Sequence, residues 1–140
     1  MKIYVLDTDI CGFVQSSHSN TLQQLMSLPA EAVVVTTIIT FGEDLSGWLP
    51  ACRHAKDGIT RSKAFARLQN GLKFYLKRRC LPFDDAAVVI FDKLKSLKLH
   101  IGNNDLSIAA ITLAVGGILV TRNAKDFQRI PDLPLEDWTV

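Results

Sequence analysis

Cysteine is scarce in this chain and follows no pattern. Cys11, Cys52 and Cys80 are an odd number with no Cys-x-x-Cys spacing, which argues against a zinc knuckle or a disulfide framework and fits a reducing cytoplasm. Histidine is equally thin: His18, His54 and His100 show no metal-ligand spacing and read as surface residues. No histidine is placed by sequence to activate Cys11, so a catalytic thiol is disfavoured. Gly102, Gly116 and Gly117 compose no phosphate-cradling loop; the Gly116-Gly117 pair reads as a helix end. No apolar run reaches membrane-spanning length. Met1-Lys2 leads straight into an apolar stretch with no signal-peptide pattern. Internal repeats and low-complexity linkers are also missing.

What is present is an ordinary globular composition, 48% hydrophobic and 21% charged over 140 residues. That suffices for one domain, 1–140, with a core that needs no staple. The net charge is only +2, but nine cations lie between Arg53 and Arg79 with Asp57 as the single acid among them. The end of the chain, Asp132 to Asp137, is acidic instead. A basic segment in a near-neutral protein reads either as a rim facing a polyanion or as a solvated helix face. In the first reading Arg61, Lys63 and Arg67 are the candidate contacts to that polyanion.

Short, apolar, β-branched runs predict buried strands at Lys2–Leu6, Val33–Thr37 and Ile118–Thr121, with a short edge strand inside Leu133–Trp138. Helical spacing predicts a helix from a Ser19 or Asn20 cap to about Leu28, and another over Ile38–Leu49 that Pro50 stops. A third spans Thr60–Arg79, ended by Pro82. Two more start at Asp84 or Asp85, and at Asn103 or Asn104. Strands alternating with helices imply an α/β fold whose mostly parallel sheet is covered on both faces. The helix-rich stretch from roughly 50 to 100 reads as an insertion or flank on that core.

Four acids stand beside these elements. Asp7 ends the first strand, Glu43 lies early in the helix after the second, Asp105 opens the helix of the fifth run, and Asp126 follows the third strand. Each has an ordinary explanation as a cap, a turn residue or a first-turn acid. Together they carry more weight, because in an open α/β sheet ligands bind at the carboxyl ends of the strands. Carboxylates converging there repel one another unless a cation lies between them. With oxygen donors and no histidine or cysteine, that cation is a hard divalent ion, Mg²⁺ with Mn²⁺ as substitute, and the chemistry is that of phosphates.

Four runs carry a resemblance to a known family. Leu6-Asp7-Thr8-Asp9-Ile10, Thr37 to Glu43, Ile101 to Ala110 and Leu119 to Phe127 resemble the PIN domain in order and spacing. The closing Ile130 to Trp138 resembles the tail of the VapC-type toxins within that family. The likeness covers nearly the whole chain and is weakest between 50 and 100. It implies a three-layer α/β/α fold and a metal-dependent ribonuclease that serves as the toxin of a toxin–antitoxin pair, with a small antitoxin as partner and a homodimeric assembly. The family's acidic quartet falls on Asp7, Glu43, Asp105 and Asp126, as both metal ligands and catalytic groups, with Thr121 and Asn123 hydrogen-bonding to them. Two positions depart from the family pattern: Asp9 stands where Asn is usual, and Gly42 precedes Glu43 inside a helix.

Two other readings compete. Leu6-Asp7-Thr8-Asp9 also fits the strand–Asp-x-Asp motif of haloacid-dehalogenase-like phosphatases, with Asp7 as nucleophile and Asp9 as general acid. That class needs a later acidic pair at a strand end, and Asp84-Asp85 follows no convincing strand. The chain could also be a catalytically silent module that only binds RNA or protein, against which stand four intact acids.

Overall fold

A computed structural model of the chain describes all 140 residues. Five strands form one sheet: β1 (Ile3–Leu6), β2 (Val33–Thr37), β3 (Arg79–Leu81), β4 (Ile118–Val120) and β5 (Leu135–Glu136). Their order is β3-β2-β1-β4-β5, and every pairing is parallel. The chain therefore starts in the middle of its sheet. It builds outward through β2 and β3 on one side, then crosses to β4 and β5 on the other. The reversal happens at β1, and the carboxyl end of β1 is the topological switch point where such folds open a crevice.

Helices α1 (Thr8–Gln15), α2 (Ser19–Met26), α3 (Ile38–His54), α4 (Gly58–Leu76), α5 (Asp85–Ser96), α6 (Asn103–Ala114) and α7 (Ala124–Phe127) complete the fold. The alternation of β1 sorts them into two layers. Val5 joins a core with Val35, Leu119, Ala87 and Leu94 of α5 and Ile108 and Ile111 of α6. Its neighbours Tyr4 and Leu6 join a second core with Ile10 and Cys11 of α1, Trp48 of α3, and Phe74 and Tyr75 of α4. The result is a three-layer α/β/α sandwich, as the pattern of elements predicts. No helix is long and apolar enough to cross a membrane.

Several local expectations change. α3 does not stop at Pro50 but continues to His54. An interior proline costs a helix about 3 kcal/mol; here Trp48 and Cys52, on either side of it, are buried, and that burial offsets the cost. The Thr60–Arg79 helix ends at Leu76, and Arg79–Leu81 is an edge strand on β2. The stretch 50–100 therefore contributes a strand to the sheet rather than only flanking it. His18, not Ser19 or Asn20, caps α2, its Nδ1 accepting from the Thr21 N–H at 3.3 Å. α6 begins after Gly102 without a side-chain cap, whereas Asp84 caps α5 as expected, accepting from the Ala87 N–H at 3.0 Å. Gly116, at φ 64°, closes α6 in the left-handed conformation that suits glycine.

The α3–α4 hairpin depends on one missing side chain. A Cβ on Gly71 of α4 would lie 2.2 Å from the indole of Trp48, so the ring packs directly on α4 backbone. Gly47 of α3 has open space instead. Gly71→Ala should destabilise the protein by about 1–3 kcal/mol through overpacking, despite the better helix former. Gly47→Ala should be neutral or stabilising by up to about 1 kcal/mol. Urea denaturation of the two variants checks both; equal effects would remove the indole contact as the reason for Gly71.

Candidate active site

The switch point is occupied by Asp7, the first residue after β1. Its backbone N–H still donates to Val120 of β4 at 2.9 Å, which holds its carboxylate over the β1–β4 crevice. Only 6% of Asp7 is exposed. One oxygen accepts from the Thr8 N–H and so caps α1; the other accepts from the Thr121 hydroxyl, both at 2.8 Å. Thr121 in turn accepts from the Asn123 N–H at 2.9 Å, and the Asn123 amide donates to Asp126 Oδ2 at 3.1 Å. Asp7, Thr121, Asn123 and Asp126 thus form one hydrogen-bonded line along the carboxyl end of β4.

A second line reaches Glu43 from the other side. Thr37, at the end of β2, caps α3 through Thr40. The hydroxyls of Thr37, Thr40 and Thr8 follow one another at 3.2 Å, and Thr8 donates to Glu43 Oε1 at 2.6 Å. The Asn104 amide donates to Glu43 Oε2 at 3.4 Å. This places the next residue, Asp105 in the first turn of α6, beside Glu43. Asp9 joins them: its carboxylate accepts the backbone N–H groups of Ile10 at 2.7 Å and Arg122 at 3.2 Å.

The electrostatics follow from this crowding. Burial, then the charge of Asp9, pushes the Asp7 carboxyl up to about 7, against the opposing hydrogen bonds from Thr121 and Thr8; Asp105 adds a smaller push. Burial followed by the charges of Glu43, Asp126 and Asp9 raises Asp105 as well. Asp9 is raised, chiefly by burial. Asp126 is the exception. Its side chain is 42% exposed and pairs with Arg129 at 2.5 Å, and the hydrogen bonds from Asn123 and then Arg129 lower its pKa. The donors are all carboxylate oxygens, and burial and neighbouring acids disfavour the charged form of three of them, a penalty that a hard divalent cation would relieve. In this arrangement no three acids stand close enough to share one ion. Asp126, tied to Arg129, is the least available.

The sequence assigned Asp7, Glu43, Asp105 and Asp126 to one site, and the fold brings them to one edge. Thr121 and Asn123 take the expected hydrogen-bonding positions. Thr8, Thr40 and Asn104, which hold Glu43, and Arg129, which holds Asp126, were not singled out. The available signals were adjacency, since Thr8 and Asn104 follow and precede quartet acids, and the i,i+3 spacing of Arg129 from Asp126. The three basic candidates lie apart on α4. Arg61 donates to the Cys52 carbonyl at 3.2 Å and covers the Phe65 ring. Arg67 donates to Gln15 Oε1 at 2.8 Å and lies over Trp48. Lys63 is exposed. Cys11 is buried and its thiol is pushed far up by that burial, so it supplies no thiolate. Asp84 is used as a helix cap, which leaves the phosphatase reading without its acidic pair.

An all-parallel sheet of this order, with acids gathered where the strand order reverses, is a doubly wound α/β fold with an acidic candidate site at its switch point. No protein-family model matches the chain. Ribonuclease VapC2 of Rickettsia felis is 30% identical over 97% of this chain and 98% of its own length. Ribonuclease VapC1 of Haemophilus influenzae is 32% identical over 98% of each. The solved VapBC2 of Rickettsia felis, bound to a DNA fragment from their promoter, superposes with a TM-score of 0.78 at 29% identity, covering 97% of this chain and 98% of that one. The chain belongs to the VapC family of PIN-domain ribonuclease toxins.

The raised pKa of Asp7 carries a stability prediction for the metal-free protein. The folded carboxyl keeps its proton to about 7 while the unfolded one loses it near 3.8. The folded state therefore binds more protons between those values, and stability falls as pH rises through that window. Asp7→Asn retains an acceptor for the α1 cap and removes the charge. In EDTA it should be more stable than wild type at pH 8, by an amount on the order of 2 kcal/mol, with the difference shrinking towards pH 4. Urea titrations at the two pH values measure this; a pH-independent difference would contradict a burial-driven shift.

Proposed function

We propose that this chain is a Mg²⁺-dependent endoribonuclease, the toxin of a toxin–antitoxin pair, and that Mn²⁺ can replace Mg²⁺. The observation that carries the reading is the gathering of Asp7, Glu43, Asp105 and Asp126 at the carboxyl edge of β1 and β4, with Asp7 and Asp105 raised by burial and by neighbouring acids. Asp7 and Asp105 are the principal ligands in this reading, with Glu43 and Asp126 completing the set directly or through water. A divalent ion held there would neutralise charge on the scissile phosphate and lower the pKa of a water molecule. Glu43, fixed at one oxygen by Thr8 and near the other by Asn104, orients the attacking water. Thr121 and Asn123 hold the carboxylates of Asp7 and Asp126 in place. Arg61, Lys63 and Arg67 contribute to RNA binding rather than to the chemistry.

The partner in this proposal is a small antitoxin, as in the VapBC complexes that the fold matches, and the active assembly is a homodimer in the cytoplasm. An antitoxin segment that folds on binding would lay a basic side chain among the acids, where a charge-assisted pair replaces the cation.

Purified protein incubated with total RNA should cleave it with Mg²⁺ or Mn²⁺ and not in excess EDTA. Asp105→Asn should lower the rate by about a hundredfold or more, since it removes a ligand worth several kcal/mol of charge stabilisation. The variant should remain folded by circular dichroism. Mapping the new RNA ends identifies the bond cut. Undiminished cleavage in chelator, or in the folded Asp105→Asn protein, would overturn the proposal.

A further inference from the structure

We infer that the cleft between α1 and α4 seats the phosphodiester backbone of the RNA beside the cleaved bond. This rests on the ribonuclease reading and names a subsite for it. The cleft is about 500 Å³ and is lined by Arg67, Lys73, Lys77 and Arg78, with Asn70 of α4 and Gln15 of α1 among the polar groups. No acid lines it. The one ion pair in the chain is Arg129 with Asp126, so none of these four cations is neutralised by a direct partner. Asp44, whose charge interacts with that of Arg67, accepts from the Tyr75 hydroxyl at 2.5 Å.

The two arginines are already positioned. The Arg67 guanidinium lies 4.7 Å over Trp48 and donates to Gln15. The Arg78 guanidinium lies 4.4 Å over Phe74 and donates to its carbonyl at 3.4 Å. Stacking fixes each plane and leaves further N–H donors for a phosphate. Lys73 and Lys77 are exposed and four residues apart, so they project from the same side of α4, where like charges repel until an anion arrives. Gly12, on the α1 wall, has nothing within 4 Å of where a Cβ would stand, which keeps the cleft open.

The cleft is also in reach of the chemistry. Gly12 and Gln15 follow Asp7 along α1, about 8–12 Å away at 1.5 Å per residue. That is roughly three stacked nucleotides at about 3.4 Å each. The occupant is a nucleic-acid strand rather than an acidic peptide because only two of the ten lining residues are hydrophobic. A peptide that folds on binding needs apolar anchors, and those are gathered in a separate groove between α3 and α4, around Leu45, Leu49, Phe65 and Leu72.

The test uses the Asp105→Asn protein, expected to cut RNA at least about a hundredfold more slowly, and a fluorescent mixed-sequence single-stranded RNA of about 20 nucleotides, titrated at several KCl concentrations. Lys73→Gln/Lys77→Gln should weaken binding about tenfold and reduce the salt slope by about 1.4, two contacts at ~0.7 each. Gly12→Leu should weaken binding by filling the cleft, with thermal stability kept or raised. Lys93→Gln/Lys98→Gln, outside the cleft, should leave affinity unchanged. Unchanged binding in both cleft variants overturns the inference. So does an equal loss in the Lys93/Lys98 control, or a loss of antitoxin affinity with RNA affinity intact. If the wild type cuts no RNA while the cleft variants still lose RNA binding, the ribonuclease reading falls and the subsite stands.

Discussion

Everything at the carboxyl edge of the sheet is arranged around the cost of putting a carboxylate at the end of a buried central strand. Asp7 is nearly inaccessible, has another acid two residues away, and senses Asp105 as well. Two hydrogen bonds, from Thr8 and Thr121, hold it in place without removing the repulsion. Such a group is tolerated where something else supplies the missing charge. The surrounding threonine and asparagine side chains then read as a scaffold that fixes direction. They hold carboxylate oxygens still while leaving the charge to be balanced by what binds.

The helical layer on the Tyr4 and Leu6 side divides its surface by chemistry. α4 presents apolar side chains to the groove with α3 and cationic ones to the cleft with α1. Trp48 links the two, because its indole packs on Gly71 and also supports Arg67. Thr8 and Gln15, two turns apart on α1, touch α3 and α4 respectively. α1 therefore couples the acidic edge to the basic cleft as a single rigid rod.

Much of this was legible in the sequence, for a physical reason. Central parallel strands are buried on both faces, so Ile3–Leu6, Val33–Thr37 and Ile118–Val120 read as continuous apolar runs. Asp7 follows its run directly and Glu43 and Asp126 follow theirs within six residues, so strand direction sends those three to one edge; Asp105, in the first turn of α6, follows none of these runs and was legible only through the resemblance. β3 was not legible, since three residues beginning with arginine at a sheet edge carry no period to detect. Pro50 misled because local backbone preference was outweighed by the burial of Trp48 and Cys52 around it. The pairing of Asp126 with Arg129, and the hold of Thr8 on Glu43, depend on distances that spacing alone does not give.

The hydrogen bond from Thr121 to Asp7 joins residues 114 positions apart, and β4 is itself flanked by β5 near the end of the chain. During synthesis the first strand emerges long before the strand that completes its crevice. Chains fold in the order in which partners become available, and long-range parallel pairing is slow. A nascent or truncated chain therefore carries Asp7 without the wall that orients it. In a nascent chain Asp7 gains the hydroxyl that orients it only after β4 has been made.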